Sequence, residues 1–266
     1  MEKYNQLLSI NADSKTSKGT KKGYLTGILY LSPSKKSGSD FCASSSPGCE
    51  SACLDEAGRG AFNSVQLARY KKSKYFLNDR SNFMLDLIES IIRLQKKANN
   101  KKLIPVIRLN GTSDLIWESI RINLNDLFKR KYIIDNIDLI QAMRTNKLKS
   151  FDFDRRLNIF ELFSNITFYD YTKHPIEWRN KALKLNNYSL TFSRCEDNEN
   201  KALSYLINGF NSAFVFKNSI PKKYKGFKVI NGDETDLRFL DEKNVIVGLI
   251  AKGKAKNDKS GFVINN

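Results

Sequence analysis

A chain of 266 residues, 41% of them hydrophobic, is long enough for one large domain with a real core, and an α/β barrel of this length is routine. No apolar run approaches the roughly 18 residues that mark a membrane span, and the polar N-terminus has no signal core, so a cytoplasmic protein without a membrane partner is expected. The 45 Lys and Arg against 28 Asp and Glu leave a net charge of +17, which suits a polyanionic partner, most simply nucleic acid. Charge alone does not decide the matter. The basic residues are scattered along the chain, and its richness in Asn and Ile gives the lysine excess a compositional origin as well.

In chain order, residues 1–24 read as a polar entry segment, and residues 25–266 as a single domain. Residues 25–32 (LTGILYLS), closed by Pro33, form a buried strand. Directly after it, residues 41–60 (FCASSSPGCESACLDEAGRG) hold Cys42, Cys49 and Cys53, three of the four cysteines in the chain. The run Ser44, Ser45, Ser46, Pro47, Gly48 is turn chemistry and predicts a loop. A helix starting near Cys49 would put Cys49 and Cys53 on one face. A basic helix follows from Asn63, and a second, capped by Ser81, carries an apolar stripe of Phe83, Met84, Leu87, Ile88, Ile91 and Leu94.

Residues 103–109 are the next strand, and they run into the small polar residues 110–114, the composition of a ligand-facing loop. Residues 118–161, dense in Ile, Asn, Lys and Asp, read as an insertion with a helix around 133–143. Further strands are expected at 166–173, 188–193, 213–216, 227–230 and 245–250, with a helix after Asp197 and a Lys/Gly-rich tail. Buried strands separated by crossovers give a parallel sheet, and several end in polar residues on one carboxyl edge. The fold class is therefore α/β, a full or partial (β/α) barrel with the cysteine loop after its first strand.

The cysteine spacing is six residues and then three. Zinc ribbons pair cysteines two to four apart, twice over, and here a second pair is missing. His174 is the sole histidine and Cys195 the remaining cysteine, so a fourth protein ligand either comes from far along the chain or does not exist. Three thiolates with one open position suit a [4Fe–4S] cluster, with zinc as the alternative metal. Buried free thiols or a disulfide are the readings without metal, and a reducing compartment disfavours the disulfide.

Among the other groups, Asp114 either acts in the site or caps the following helix. Tyr169, Asp170, Tyr171 and Lys173 alternate along a strand; Asp170 faces inward if its aromatic neighbours pack outward, and the reverse is open. Arg194 and Glu196 are site partners or a structural ion pair, and Cys195 is a fourth ligand, a radical-chemistry thiol or a small buried residue. Asp233, Asp236 and Arg238 lie in a segment where turn chemistry also calls for Gly-Asp. Lys252, Lys254 and Lys256 form a basic edge suited to phosphates. A lone His174 ahead of Pro175 argues against a Ser–His or Cys–His triad, and the missing GxxxxGK[ST] loop against an NTPase.

The segments LTGILYLSP, GCESACL, AGRGAF, RLNGTSD, YDYTK, DLRFLD and AKGKAK resemble a family of uncharacterised bacteriophage-encoded proteins, across nearly the whole chain outside 118–161. That resemblance implies the host-cell cytoplasm. More distantly, the layout is similar to radical S-adenosylmethionine (SAM) enzymes, in which a three-cysteine loop after the first barrel strand holds a [4Fe–4S] cluster. Their usual cysteine spacing is three then two. The likeness implies that Cys42, Cys49 and Cys53 hold the cluster and that Asn110, Ser113 and Asp114 orient S-adenosylmethionine. Asp170, Lys173, Arg194 and Glu196 would then surround a nucleotide or nucleic-acid substrate. The alternative is a non-catalytic, metal-stapled protein that binds nucleic acid or a host protein.

Overall fold

The computed structural model describes residues 6–10, 14–138, 142 and 156–266. The chain is a mixed α/β protein around a ten-stranded, mostly parallel sheet. Its strands are β1 (Leu8–Ile10), β2 (Tyr24–Leu29), β3 (Ile104–Arg108), β6 (Thr167–Thr172), β7 (Tyr188–Ser193), β8 (Ser212–Phe216), β9 (Lys223–Tyr224), β10 (Phe227–Asn231), β11 (Ile246–Ile250) and β12 (Val263–Ile264). A separate two-stranded ribbon pairs β4 (Ile122–Asn123) with β5 (Arg156–Leu157). The main path runs β1-β2-β3-β6-β7-β8-β11-β10-β9, with β12 added against β8.

A full barrel does not close among the described residues. β1 and β9 end the path, each antiparallel to one neighbour. Chain order is also broken, because β11 lies between β8 and β10. The polar entry segment is more than a lead-in: Leu7 and Leu8 are buried, and β1 pairs with β2.

The seven expected strands correspond to β2, β3, β6, β7, β8, β10 and β11, whereas the short β1, β4, β5, β9 and β12 are not expected from the sequence. Helix α1 (Ser14–Lys21) precedes β2, a short α2 (Pro47–Ser51) lies in the cysteine segment, and two long helices, α3 (Asn63–Asn78) and α4 (Arg80–Asn100), follow it. On α4 the stripe Phe83, Met84, Leu87, Ile88, Ile91 and Leu94 is almost wholly out of solvent. Each such side chain contributes about 1.5–3 kcal/mol relative to exposure. The cap is Asp79, whose carboxylate accepts from the Asn82 amide at 3.1 Å, and not Ser81, which lies inside the first turn. The Gly27 position on β2 has no room for a side chain: a Cβ there would stand 2.8 Å from Leu94 Cδ2, so the glycine lets α4 approach the strand. Of the helix expected around 133–143, Lys131–Ile134 is helical, and all beyond Asp138 except Ala142 lies outside the described residues.

The sheet has two differently filled faces. Leu25, Leu29, Ile107 and Phe168 pack into the large core with α4. On the other face Val106 and Tyr169 pack with Leu237, Tyr24 and Phe239, so residues 235–241 cover this side. Between β7 and β8 the ladder forks. Phe192 and Ser193 pair with Ser212 and Ala213, but Val215 and Phe216 pair with Val263 and Ile264 of β12.

Candidate functional site

Residues 41–60 lie at the carboxyl edge of the sheet, tied to the loops that leave β3, β6 and β7. The Asp114 amide donates to Phe41 O at 2.8 Å, and the Thr112 hydroxyl donates to Leu31 O. A short helix, α2 (Pro47–Ser51), is capped by Ser46, whose hydroxyl accepts from the Cys49 amide at 3.2 Å. Glu196 holds this turn from the β7 side, accepting from Ser46 Oγ and from the Gly48 amide, each at 2.7 Å. Gly48 is required here, because a Cβ would lie 2.2 Å from Ser260 Oγ and 2.7 Å from Glu196 Oε2. At the far end of the segment the fully buried Asp55 carboxylate pairs with Arg69 and with Lys36.

All four cysteines are free; Cys42, Cys49 and Cys53 are half-buried, and Cys195 is buried. α2 stops at Ser51, so Cys49 and Cys53 do not share a helical face as their spacing predicted. Cys53 instead begins the next turn, its sulfur accepting from the Asp55 amide at 3.5 Å. Burial pushes the Cys42 thiol up to about 12, with the charges of Asp114, Cys53 and Cys49 adding to the effect. Burial also raises Cys53, with Cys49 contributing, so the three sulfurs are close enough to sense one another. Among the described residues, no set of three or more His, Cys, Asp or Glu side chains is arranged to hold a metal ion. The donor chemistry fits a thiophilic metal, while a preformed coordination shell is not part of this conformation.

Lys173 stands beside these thiols. Its ammonium donates to Ser193 Oγ at 2.9 Å. Burial works against its charge, but Cys49, Cys195 and Asp114 together hold its pKa above the ordinary lysine value. Asp114 accepts from the Lys173 amide at 2.7 Å and lies 3.7 Å from Arg179. Cys195 points its thiol at Asp197 Oδ1, 3.1 Å away.

The remaining expected site residues are more dispersed. Asn110 Oδ1 accepts from Ser113 Oγ, the Leu115 amide and Trp117 Nε1, which folds the 110–117 loop on itself. Asp170 faces the α4 side with Phe168 and bonds the Asn110 amide and Tyr188 OH at 2.8 and 3.0 Å. Tyr169 and Tyr171 take the opposite face, so the open alternation resolves with Asp170 away from the tyrosines. Arg194 does not pair with Glu196: its guanidinium pairs with Glu199 at 2.7 Å and donates to Gly261 O and Phe262 O at 2.5 and 2.9 Å. The structure thus brings together the three thiols, Asp114 and Lys173, and gives Asn110, Ser113, Arg194 and Glu196 bonds that shape the loops around them.

A family model described as Gene product 88 matches residues 3–266. The chain belongs to the Gene product 88 family. This fits the resemblance to phage-encoded proteins read from its motifs. No curated protein and no solved structure matches the chain.

In this Gene product 88 member one further pair of side chains shapes the site. Ser44 Oγ meets His174 Nδ1 at 2.7 Å, and His174 Nε2 meets Asp114 O at 2.9 Å. A carbonyl only accepts, so in the neutral ring Nε2 carries the proton and Nδ1 accepts from the serine. With a main-chain carbonyl as its outer partner the histidine completes no carboxylate triad, and it pins the cysteine loop to the end of β6. Ser44 and His174 are 130 positions apart, and no local pattern announces such a pair. A groove of about 410 Å³ also runs beside α2, lined by Gly48, Ser51, Lys254, Asp258, Lys259 and Ser260. No helix among the described residues is long and apolar enough to cross a membrane.

Proposed function

We propose that the cysteine segment is a thiolate metal site and that the protein is an iron–sulfur enzyme of radical-SAM-like type acting on a nucleotide or nucleic acid. The observation that carries this reading is the gathering of three free, half-buried thiols at the carboxyl edge of a parallel sheet, beside Lys173 and Asp114. Ligands of open α/β sheets bind at that edge. Cys42, Cys49 and Cys53 would hold a [4Fe–4S] cluster, which when bound supplies an open iron for S-adenosylmethionine and an electron for its reductive cleavage. Asp114 Oδ1 accepts no hydrogen bond and has the Arg179 guanidinium 3.7 Å away, so Asp114 is the group of the 110–114 loop that would receive the methionyl amine. Lys173 would offset the negative charge of the thiolates.

The test is purification without oxygen followed by measurement of iron, sulfide and zinc per chain. About four irons with a broad absorbance near 400 nm are expected, lost when Cys42, Cys49 or Cys53 is replaced by Ala. Full iron retention in those three variants would exclude the site. Consumption of S-adenosylmethionine by the loaded protein then tests the enzyme.

A second reading is favoured by the net charge of +17 and by the lysines of the groove beside α2. Here zinc only staples the loop, and the basic surface engages nucleic acid or a host protein. About one zinc and no visible colour, with nucleic-acid affinity falling steeply as salt rises, would select it.

A further inference from the structure

Buried polar atoms in folded proteins are almost always hydrogen-bonded, and a cluster of exceptions marks missing water, an ion or a ligand. Seven side-chain atoms without a hydrogen-bond partner fall in one buried patch among the described residues. They are Thr26 Oγ1, Arg108 Nε, Tyr169 OH, Tyr171 OH, Arg238 Nε and Nη1, and Asp241 Oδ2. The patch lies on the face of the sheet opposite α4, beneath residues 235–241. The Arg108 guanidinium pairs with Asp236 at 2.9 Å and lies over the Tyr171 ring, 4.8 Å from its centre. Phe239 packs on Tyr169 with ring centres 5.5 Å apart, and Arg238 Nη2 donates to Thr235 O at 2.7 Å. Thr26 stands near enough to Tyr169 to influence its hydroxyl, in a geometry that closes no hydrogen bond.

We propose that this patch is a binding chamber for an oxyanion, built by Arg108, Tyr169, Tyr171 and Arg238 and closed by residues 235–241. The open positions favour an acceptor-rich guest. Three are guanidinium N–H groups that can only donate, three are hydroxyls, and one is a carboxylate oxygen. The Arg238–Asp241 contact is long, 3.3 Å, and too poorly aligned for a hydrogen bond. Asp241, which burial pushes up to about 6, is the acceptor that an entering oxyanion would replace. An arginine fork with flanking hydroxyls is the ordinary recognition chemistry for phosphate and carboxylate. A cluster of buried polar atoms without hydrogen bonds erodes the margin that keeps a domain folded. Tyr169, Tyr171 and Lys173 alternate on β6 and the residue after it, so the chamber lies along the same face that leads to the thiols. None of its residues belongs to the cysteine segment, and the inference stands or falls independently of any metal.

The experiment is thermal unfolding of the full chain, titrated with inorganic phosphate or with acetate at fixed ionic strength, for the wild type and Tyr171→Phe. At least one anion is expected to raise the wild-type Tm saturably. Tyr171→Phe should weaken that anion about tenfold, near 1.4 kcal/mol for one bond to a charged group, and leave the ligand-free Tm unchanged or higher. A response to phosphate alone, acetate alone or both identifies which group the chamber accepts. No saturable shift with either anion overturns the proposal. So does equal affinity in the variant, or a ligand-free Tm that falls because the hydroxyl was held by ordered water.

Discussion

Asp170 is fully buried, and the groups it meets decide what it can do. Its carboxylate takes bonds from the Asn110 amide and Tyr188 OH, and Tyr188 in turn accepts from Arg179, itself locked to Glu118 at 2.6 and 3.0 Å. Burial pushes Asp170 up to about 7, against the pull of Arg108, the Asn110 amide and the Tyr188 hydroxyl. The folded state therefore keeps a proton that the unfolded chain gives up near pH 4. This contribution to stability is fully present below pH 4 and is lost as pH rises through about 7. Asp170→Asn should flatten the fall in urea midpoint between pH 4 and 7, leaving the smaller part due to Asp241, which has the same sign. An unchanged slope in the variant would mean that Asp170 is ionised throughout. The sequence shows that Tyr169, Asp170 and Tyr171 alternate, but both sets mix polar and apolar character. Only the α4 face, filled by Phe168 and Phe160, fixes which way the strand turns.

At the scale of elements, the seven longer strands and α4 were legible because each is set by its own apolar pattern and local turn chemistry, whereas α3 buries Arg69, Lys72 and Ser73 beside Tyr75 and Phe76. The cysteine segment was legible as a loop with a helix start, yet the length of that helix was not. α2 ends at Ser51 because its stability comes from outside: Glu196 on its first turn, Ser46 as cap, and Ser260 packed on Gly48. Those partners lie up to about two hundred residues away, beyond any sequence window. Gly48→Ala forces a methyl group into Ser260 and Glu196, and overpacking of this kind costs about 1–3 kcal/mol. The measurement is the denaturant midpoint, read together with the rate at which Cys49 and Cys53 react with a thiol reagent. Both should move in the variant, the midpoint down and the rate up. A wild-type midpoint would show that α2 does not depend on this close contact.

For the whole molecule, the parallel sheet and its polar carboxyl edge follow from the spacing of buried runs, whereas the order of the strands does not. Nothing in the short segment VI at 263–264 says that it enters the sheet, since two residues carry no period. Its place is fixed by long-range bonds: Arg194 donates to Gly261 O and Phe262 O, Lys217 N donates to Ile264 O, and Asp258 accepts from the Val263 amide. Arg194→Ala should therefore speed amide hydrogen exchange at Lys217 and Val263 while leaving that of β2 and β3 unchanged. Equal protection in the variant would show that Arg194 does not hold β12 in place.

The fork between β7 and β8 also bears on how the protein is made. Val215 and Phe216 have their partners on this edge only in Val263 and Ile264, nearly fifty positions later in the chain. Domains on the ribosome form from the N-terminal side at about 5–20 residues per second. Until residues 263–264 have been made, β8 presents an open half-edge, beside the thiols already gathered at the carboxyl edge. A nascent chain paused there is a template for strand addition by another polypeptide, and β12 is the stopper that removes that hazard.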